Sequence, residues 1–191
     1  MRRKLIVPLT KSSFAKRLGP EKFYDWVRGL KKAHKLCDRD DTVLVVSAVH
    51  IEGFKSEAVI YKEVLLEWGI TEQEIEEVSV GQRLMLGDKN FVILEEAQET
   101  IGQLEIAYDI AEQNRMKLVV VSTWTHYLRV AWLLWRGPNR NYRHYIAWGV
   151  PYLREAITDA ILTLLFPLID LAGRRSWFLD KVTRRRKSGK F

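Results

Sequence analysis

The chain is short of several things that would narrow its chemistry. It holds one cysteine, Cys37, in 191 residues. A single thiol closes no internal disulfide and supplies no cysteine-based zinc site. Lys35-Leu36-Cys37-Asp38 has no motif around it, so Cys37 reads as a passive thiol in a reducing, cytoplasmic setting. No apolar run is long enough to cross a bilayer. The longest, Ala160 to Ile169, is ten residues and contains Pro167, against roughly 20 for a spanning helix. The opening Met1-Arg2-Arg3-Lys4-Leu5-Ile6-Val7-Pro8 is basic, but its apolar stretch is too short for a signal peptide. Walker, G-x-G-x-x-G and G-x-S-x-G patterns are all missing, which argues against a standard serine hydrolase. The histidines at 34, 50, 126 and 144 show no H-x-x-x-H or H-E-x-x-H spacing, so no metal site is expected.

What is present suits one globular domain with an appendage. The chain is 47% hydrophobic and 29% charged, enough to build a real core. The net charge of +7 is confined to one end. Residues 174–191 hold eight Lys/Arg and one acid, Asp180, and the first 173 residues hold 23 charges of each sign. The basic character therefore belongs to a tail and gives no warrant for specific nucleic-acid binding by the body.

Apolar runs at Leu5–Leu9, Thr42–Ser47, Phe91–Leu94 and 117–122 read as buried strands. Between them, residues 21–36, 57–67 and 100–113 carry apolar side chains at helical spacing. Ser56 is placed to cap the second helix, and Gly69 to end it. Thr71-x-x-Glu74 is a capping box. Strands alternating with helices imply an α/β fold, a Rossmann-like three-layer αβα sandwich with a mostly parallel sheet. The expected layout is an α/β domain over 1–151, an apolar helix over 152–173, and a flexible basic tail over 174–191. Residues 137–151 read as a loop bounded by glycine and proline and rich in aromatics and arginine. The aromatics interleaved with arginine over 132–148 read as a lid or as packing, with base stacking as the rival reading.

Three groups fall just past strand ends, where open α/β sheets bind ligands. The first is Ser122-Thr123-Trp124-Thr125-His126-Tyr127-Leu128-Arg129. Its hydroxyls are of the helix-capping kind, and His126 and Arg129 share a helix face at i, i+3. A first helical turn suits an anion and favours a neutral imidazole. The alternative is that His126 caps a neighbouring loop and Arg129 pairs with an acid. The second is Ser56-Glu57-Ala58 after the strand ending at Ser47. A carboxylate in a first turn also suits the helix dipole with no further role. The third is Glu95-Glu96, then Thr100 and Gln103. Paired carboxylates divide acid and base roles when their environments differ, although adjacent acids are commonly solvated. The tail around Arg184-Arg185-Arg186-Lys187 is a solvated end, a tether to anionic lipid at roughly 1 kcal/mol per basic residue, or a non-specific RNA contact.

In order and spacing, these groups resemble the bacterial YdcF/SanA/ElyC-like family, known as domain of unknown function 218. The matches are Val43–Ser47 followed by Ser56-Glu57-Ala58 and Trp68-Gly69-Ile70; Glu95 followed by Thr100-Ile101-Gly102-Gln103; and Val119–Thr123 followed by His126-Tyr127-Leu128-Arg129-Val130-Ala131. They cover about residues 42–136. The resemblance implies a Rossmann-like fold with a polar crevice between three loops. It implies a small anionic or nucleotide-type ligand, with S-adenosylmethionine associated with one branch and cell-envelope roles with another. Carried over residue by residue, His126, Glu57 and Glu95 are the catalytic candidates. Arg129, Ser122, Thr123, Ser47, Ser56, Thr100 and Gln103 are the ligand-binding set. The chain departs from the family in three ways. Leu9-Thr10-Lys11-Ser12 and Ser47-Ala48-Val49 stand where the family has glycine-rich turns, Gln103 stands for its asparagine, and the membrane anchor of the envelope members is missing. The missing glycines also allow a second reading, a binding module without the family's chemistry. A third is a protein peripheral to the membrane, held there by residues 152–191.

Overall fold

The computed structural model describes residues 3–9, 24–46, 57–78, 89–94, 100–138, 141–149 and 153–187. In chain order the elements are β1 (Lys4–Pro8), α1 (Tyr24–Leu36), β2 (Thr42–Val46), α2 (Glu57–Glu67), β3 (Ile75–Val78), β4 (Phe91–Leu94), α3 (Thr100–Gln113), β5 (Lys117–Thr123), α4 (Tyr127–Arg136), β6 (Tyr142–Ala147), α5 (Leu153–Leu171) and α6 (Arg175–Lys187).

The strands form one six-stranded sheet in the order β3-β4-β2-β1-β5-β6, and every pairing is parallel. The four apolar runs occupy its middle. A parallel sheet is covered on both faces, so its central strands are apolar at successive positions. Alternate residues serve the two faces. Ile6, Val43, Val45, Ile93, Val119 and Val121 meet Leu30 and Ala33 of α1 and Tyr61 and Leu65 of α2. Leu5, Val7, Leu44, Val46, Val92, Leu94, Leu118 and Val120 meet α3, α4 and Phe166 of α5. Each such aliphatic side chain contributes about 1.5–3 kcal/mol on burial. The expected three-layer α/β sandwich is the observed architecture.

Helix ends follow from local chemistry. Gly69 has φ +84, and its N–H donates to Leu66 O while the Ile70 N–H donates to Leu65 O. This pair of bonds closes α2 through a left-handed residue. Beyond it, the Thr71 N–H and hydroxyl both donate to Glu74 Oε2, at 3.0 and 2.8 Å.

Three stretches differ from expectation. Ile75-Glu76-Glu77-Val78, to which the sequence pattern assigns no element, is a strand. It lies at one sheet edge, where mid-strand acids are tolerated because that side faces solvent; Lys62 Nζ pairs with Glu77 at 2.6 Å. The 137–151 loop contains β6, which closes the other edge. The basic end, expected to be a flexible tail, is helical over Arg175–Lys187. It is docked by Phe178, whose ring meets Phe166 edge-on at 5.6 Å, and by Arg175 Nη2 to Glu105 Oε1 at 3.2 Å. Among the described residues, no helix is long and apolar enough to cross a membrane.

Candidate functional site

The direction of travel through the sheet sets where a ligand fits. From β1 the chain moves through α1 to β2 on one face. From β4 it returns through α3 to β5 on the other. The switch point therefore lies between the carboxyl ends of β1 and β5, where the connections leave in opposite directions. The Leu9 N–H donates to Val121 O at 2.8 Å and stitches these two ends together. β5 continues past β1, since Pro8 pairs with Val121 while Ser122 and Thr123 pair only with Ile146 and Ala147 of β6.

From Thr123 the chain enters a short 3-10 turn, Trp124–His126, and then α4. The expected hydroxyl capping does not occur. Thr123 caps the turn without a side-chain bond, and its Oγ1 lies 3.2 Å from Thr125 Oγ1 instead. His126 is the N-cap of α4, also without a side-chain cap bond. It is only 2% exposed, whereas Arg129, one turn on, is half-buried. Both make further contacts within the protein. Trp124 Nε1 donates to Gly149 O at 2.8 Å and ties this turn to the exit of β6.

Ser122 is 1% exposed, and its Oγ lies 2.7 Å from His144 Nε2 on β6. The imidazole stacks on Tyr127 of α4, ring centroids 4.4 Å apart at 15°. Burial lowers His144 to about 4, so the ring is neutral. His144 was absent from the sequence-based candidates because it lies in the segment read as a loop.

Gln103 sits in the first turn of α3, buried, with Nε2 donating to Val46 O at 2.9 Å. It clasps the start of α3 to the end of β2. Thr100 is the first residue of α3 and half-buried. Glu57 is the first residue of α2, on the layer opposite α4; its side chain is outside the described set. Ser47, Ser56 and Glu95 lie outside the described residues. Their strands fix the scale of any shared crevice. With neighbouring strands about 4.8 Å apart, the β2 end is two spacings from β5, roughly 10 Å, and the β4 end is three, roughly 14 Å.

The amino edge carries different chemistry. Lys4, Lys117 and Arg143 lie on three adjacent strands and line an open cavity of about 320 Å³ with Tyr145. Lys4 is neutralised there by Asp38 and Asp41, at 2.6 and 2.8 Å. Cys37 is raised to about 11, first by burial and then by the Asp41 charge, which keeps it a thiol. Among the described residues no three His, Cys, Asp or Glu side chains gather as a metal site.

No family model, no curated protein and no solved structure matches this chain.

Proposed function

We propose that the protein is a YdcF-like ligand-binding protein that takes a small anionic or nucleotide-type ligand at the carboxyl edge of its sheet. One observation carries this reading. Seven polar residues are buried among the described residues, and four of them gather at that edge: Gln103, Ser122, Thr123 and His126. Burying polar groups is costly unless they are hydrogen-bonded, and within the protein Gln103 bonds Val46 O and Ser122 bonds His144. The placing of Ser122, Thr123 and His126 at the carboxyl end of β5, beside the switch point, supports a site there. Arg129 and the first turn of α4 supply the positive end for an anion. His126 serves as a base or hydrogen-bond donor, with Glu57 and Glu95 as polar partners across the crevice. The roughly 10–14 Å between these strand ends favours an extended, nucleotide-sized ligand over a lone inorganic anion.

The test is a thermal-shift screen against nucleotides, S-adenosylmethionine and sugar phosphates, repeated on Arg129→Gln and His126→Asn. His126→Asn is preferred to alanine because the buried imidazole fills space as well as carrying chemistry. The reading expects a ligand-dependent rise in melting temperature that both variants lose. A ligand response unchanged in both variants, or no response to any of the three classes, refutes it. Turnover of a bound compound distinguishes an enzyme from a binding module.

A further inference from the structure

We infer that α5 and α6 form a docking surface for an anionic lipid membrane. The inference stands apart from the carboxyl-edge site and rests on what the two helices leave uncovered. Along α5, Ile157, Ile161, Leu164, Leu165, Leu168 and Leu171 are each 47–74% exposed. They recur at i, i+4, i+7, i+8, i+11 and i+14, which is one face of a helix. Opposite them, Phe166 and Asp170 are buried. The Asp170 carboxylate accepts a hydrogen bond from Trp132 Nε1 at 3.0 Å and pairs with Arg136 Nε at 3.7 Å. Asp170 is the only charged residue from Ala160 to Leu171, and it points inward. The outward face over these three turns therefore carries no charge. A face this apolar marks an interaction surface.

Charge decides between the occupants. α6 follows directly after the Gly173 turn, and Phe166 and Phe178 fix the two helices together on the core. One flank of α6 presents Trp177, Lys181 and Arg184 together with Asp180, all exposed, with Lys181 Nζ 4.9 Å from the Trp177 ring centre. Residues 174–191 carry the chain's whole +7. Two copies joined through α5 would bring two segments of +7 each to one interface. An anionic bilayer supplies the opposite charge over a wide area. It also receives aliphatic side chains at the acyl boundary and tryptophan with basic groups at the headgroup level.

The experiment is co-sedimentation of the full chain with vesicles of phosphatidylcholine alone and of phosphatidylcholine with phosphatidylglycerol, alongside light scattering for oligomeric state. Two variants at exposed positions are used, Leu164→Glu/Leu168→Glu and Lys181→Glu/Arg184→Glu, with circular dichroism as the check on folding. Binding to the anionic vesicles only is expected, weakened by salt and by roughly tenfold or more in each variant. Trp177 is one of seven tryptophans, so intrinsic fluorescence should be partly quenched by brominated lipid in the unaltered protein and less so in Trp177→Phe. Equal pelleting with neutral vesicles, binding that survives both variants, or absence of binding overturns the proposal. So does a dimer that Leu164→Glu/Leu168→Glu splits, which assigns the face to a second copy.

Discussion

His144 should make this protein acid-labile at a pH where its carboxylates are still ionised. Its ring is held between β5 and α4, with Nε2 on the Ser122 hydroxyl at 2.7 Å and one face on Tyr127. Nδ1 is buried without a hydrogen-bond partner. Burial lowers the native value from 6.5 to about 4. As the pH falls through 6.5 the unfolded chain takes up a proton that the native state refuses until about 4. The stabilisation is therefore complete above 6.5 and is lost progressively between 6.5 and 4. Between about pH 7 and about pH 5 the loss is about 2 kcal/mol in full burial, and about 1–2 kcal/mol with partial solvent access. His144→Phe keeps a ring against Tyr127 and removes the titration. It costs stability at every pH, because Ser122 loses its partner, but its acid limb should be shallower by that same amount. Urea unfolding of both proteins across this pH range measures the difference directly and cancels the other histidines. Parallel stability curves would refute the reasoning.

Two further outcomes rest on single contacts. Asp41 is buried and accepts the Lys4 and Asp38 backbone N–H groups at 2.8 and 3.0 Å and the Lys4 ammonium at 2.8 Å. Burial pushes its carboxyl up, but the Lys4 ammonium and the two N–H groups outweigh that and hold it below the usual range. Asp41→Ala should cost about 3 kcal/mol in urea unfolding near neutral pH, because it leaves buried donors unpaired. The difference should shrink as the pH falls through the native carboxyl value. At Gly137, an added Cβ lies 2.8 Å from Tyr108 Cζ, and that ring is buried. Gly137→Ala should lower stability by about 1–3 kcal/mol. Tyr108→Phe, which removes a buried hydroxyl lacking a partner, should be near neutral alone and should recover part of the loss in the double variant. A double variant no better than Gly137→Ala counts against this packing.

The central strands were legible because burial on both faces demands apolar side chains at consecutive positions. Leu5–Leu9, Thr42–Ser47, Phe91–Leu94 and 117–122 meet that demand within a residue or two. The helices 57–67 and 100–113 were legible to the residue, since one buried face imposes helical spacing. The edges were not. β3 carries two acids and β6 mixes two tyrosines with arginine and histidine, because an edge strand is solvated on one side and escapes the apolar requirement. The composition of the basic end lacks a core-forming pattern and so predicts a flexible tail; Phe178 set against Phe166 and Arg175 on Glu105 anchor it instead.

Of the candidate site, the sequence by itself determined that Ser122, Thr123, His126 and Arg129 follow a buried strand, and that the charge is segregated at one end. Tertiary structure alone decided their partners. Strand order and register brought His144 to Ser122 across 22 residues and set Gln103 on the Val46 carbonyl, and packing turned Asp170 inward so that the outer face of α5 from Ala160 to Leu171 is bare of charge. Local pattern records which face of an element is buried. It does not record what lies against that face, because the partner is chosen by packing between segments distant in the chain.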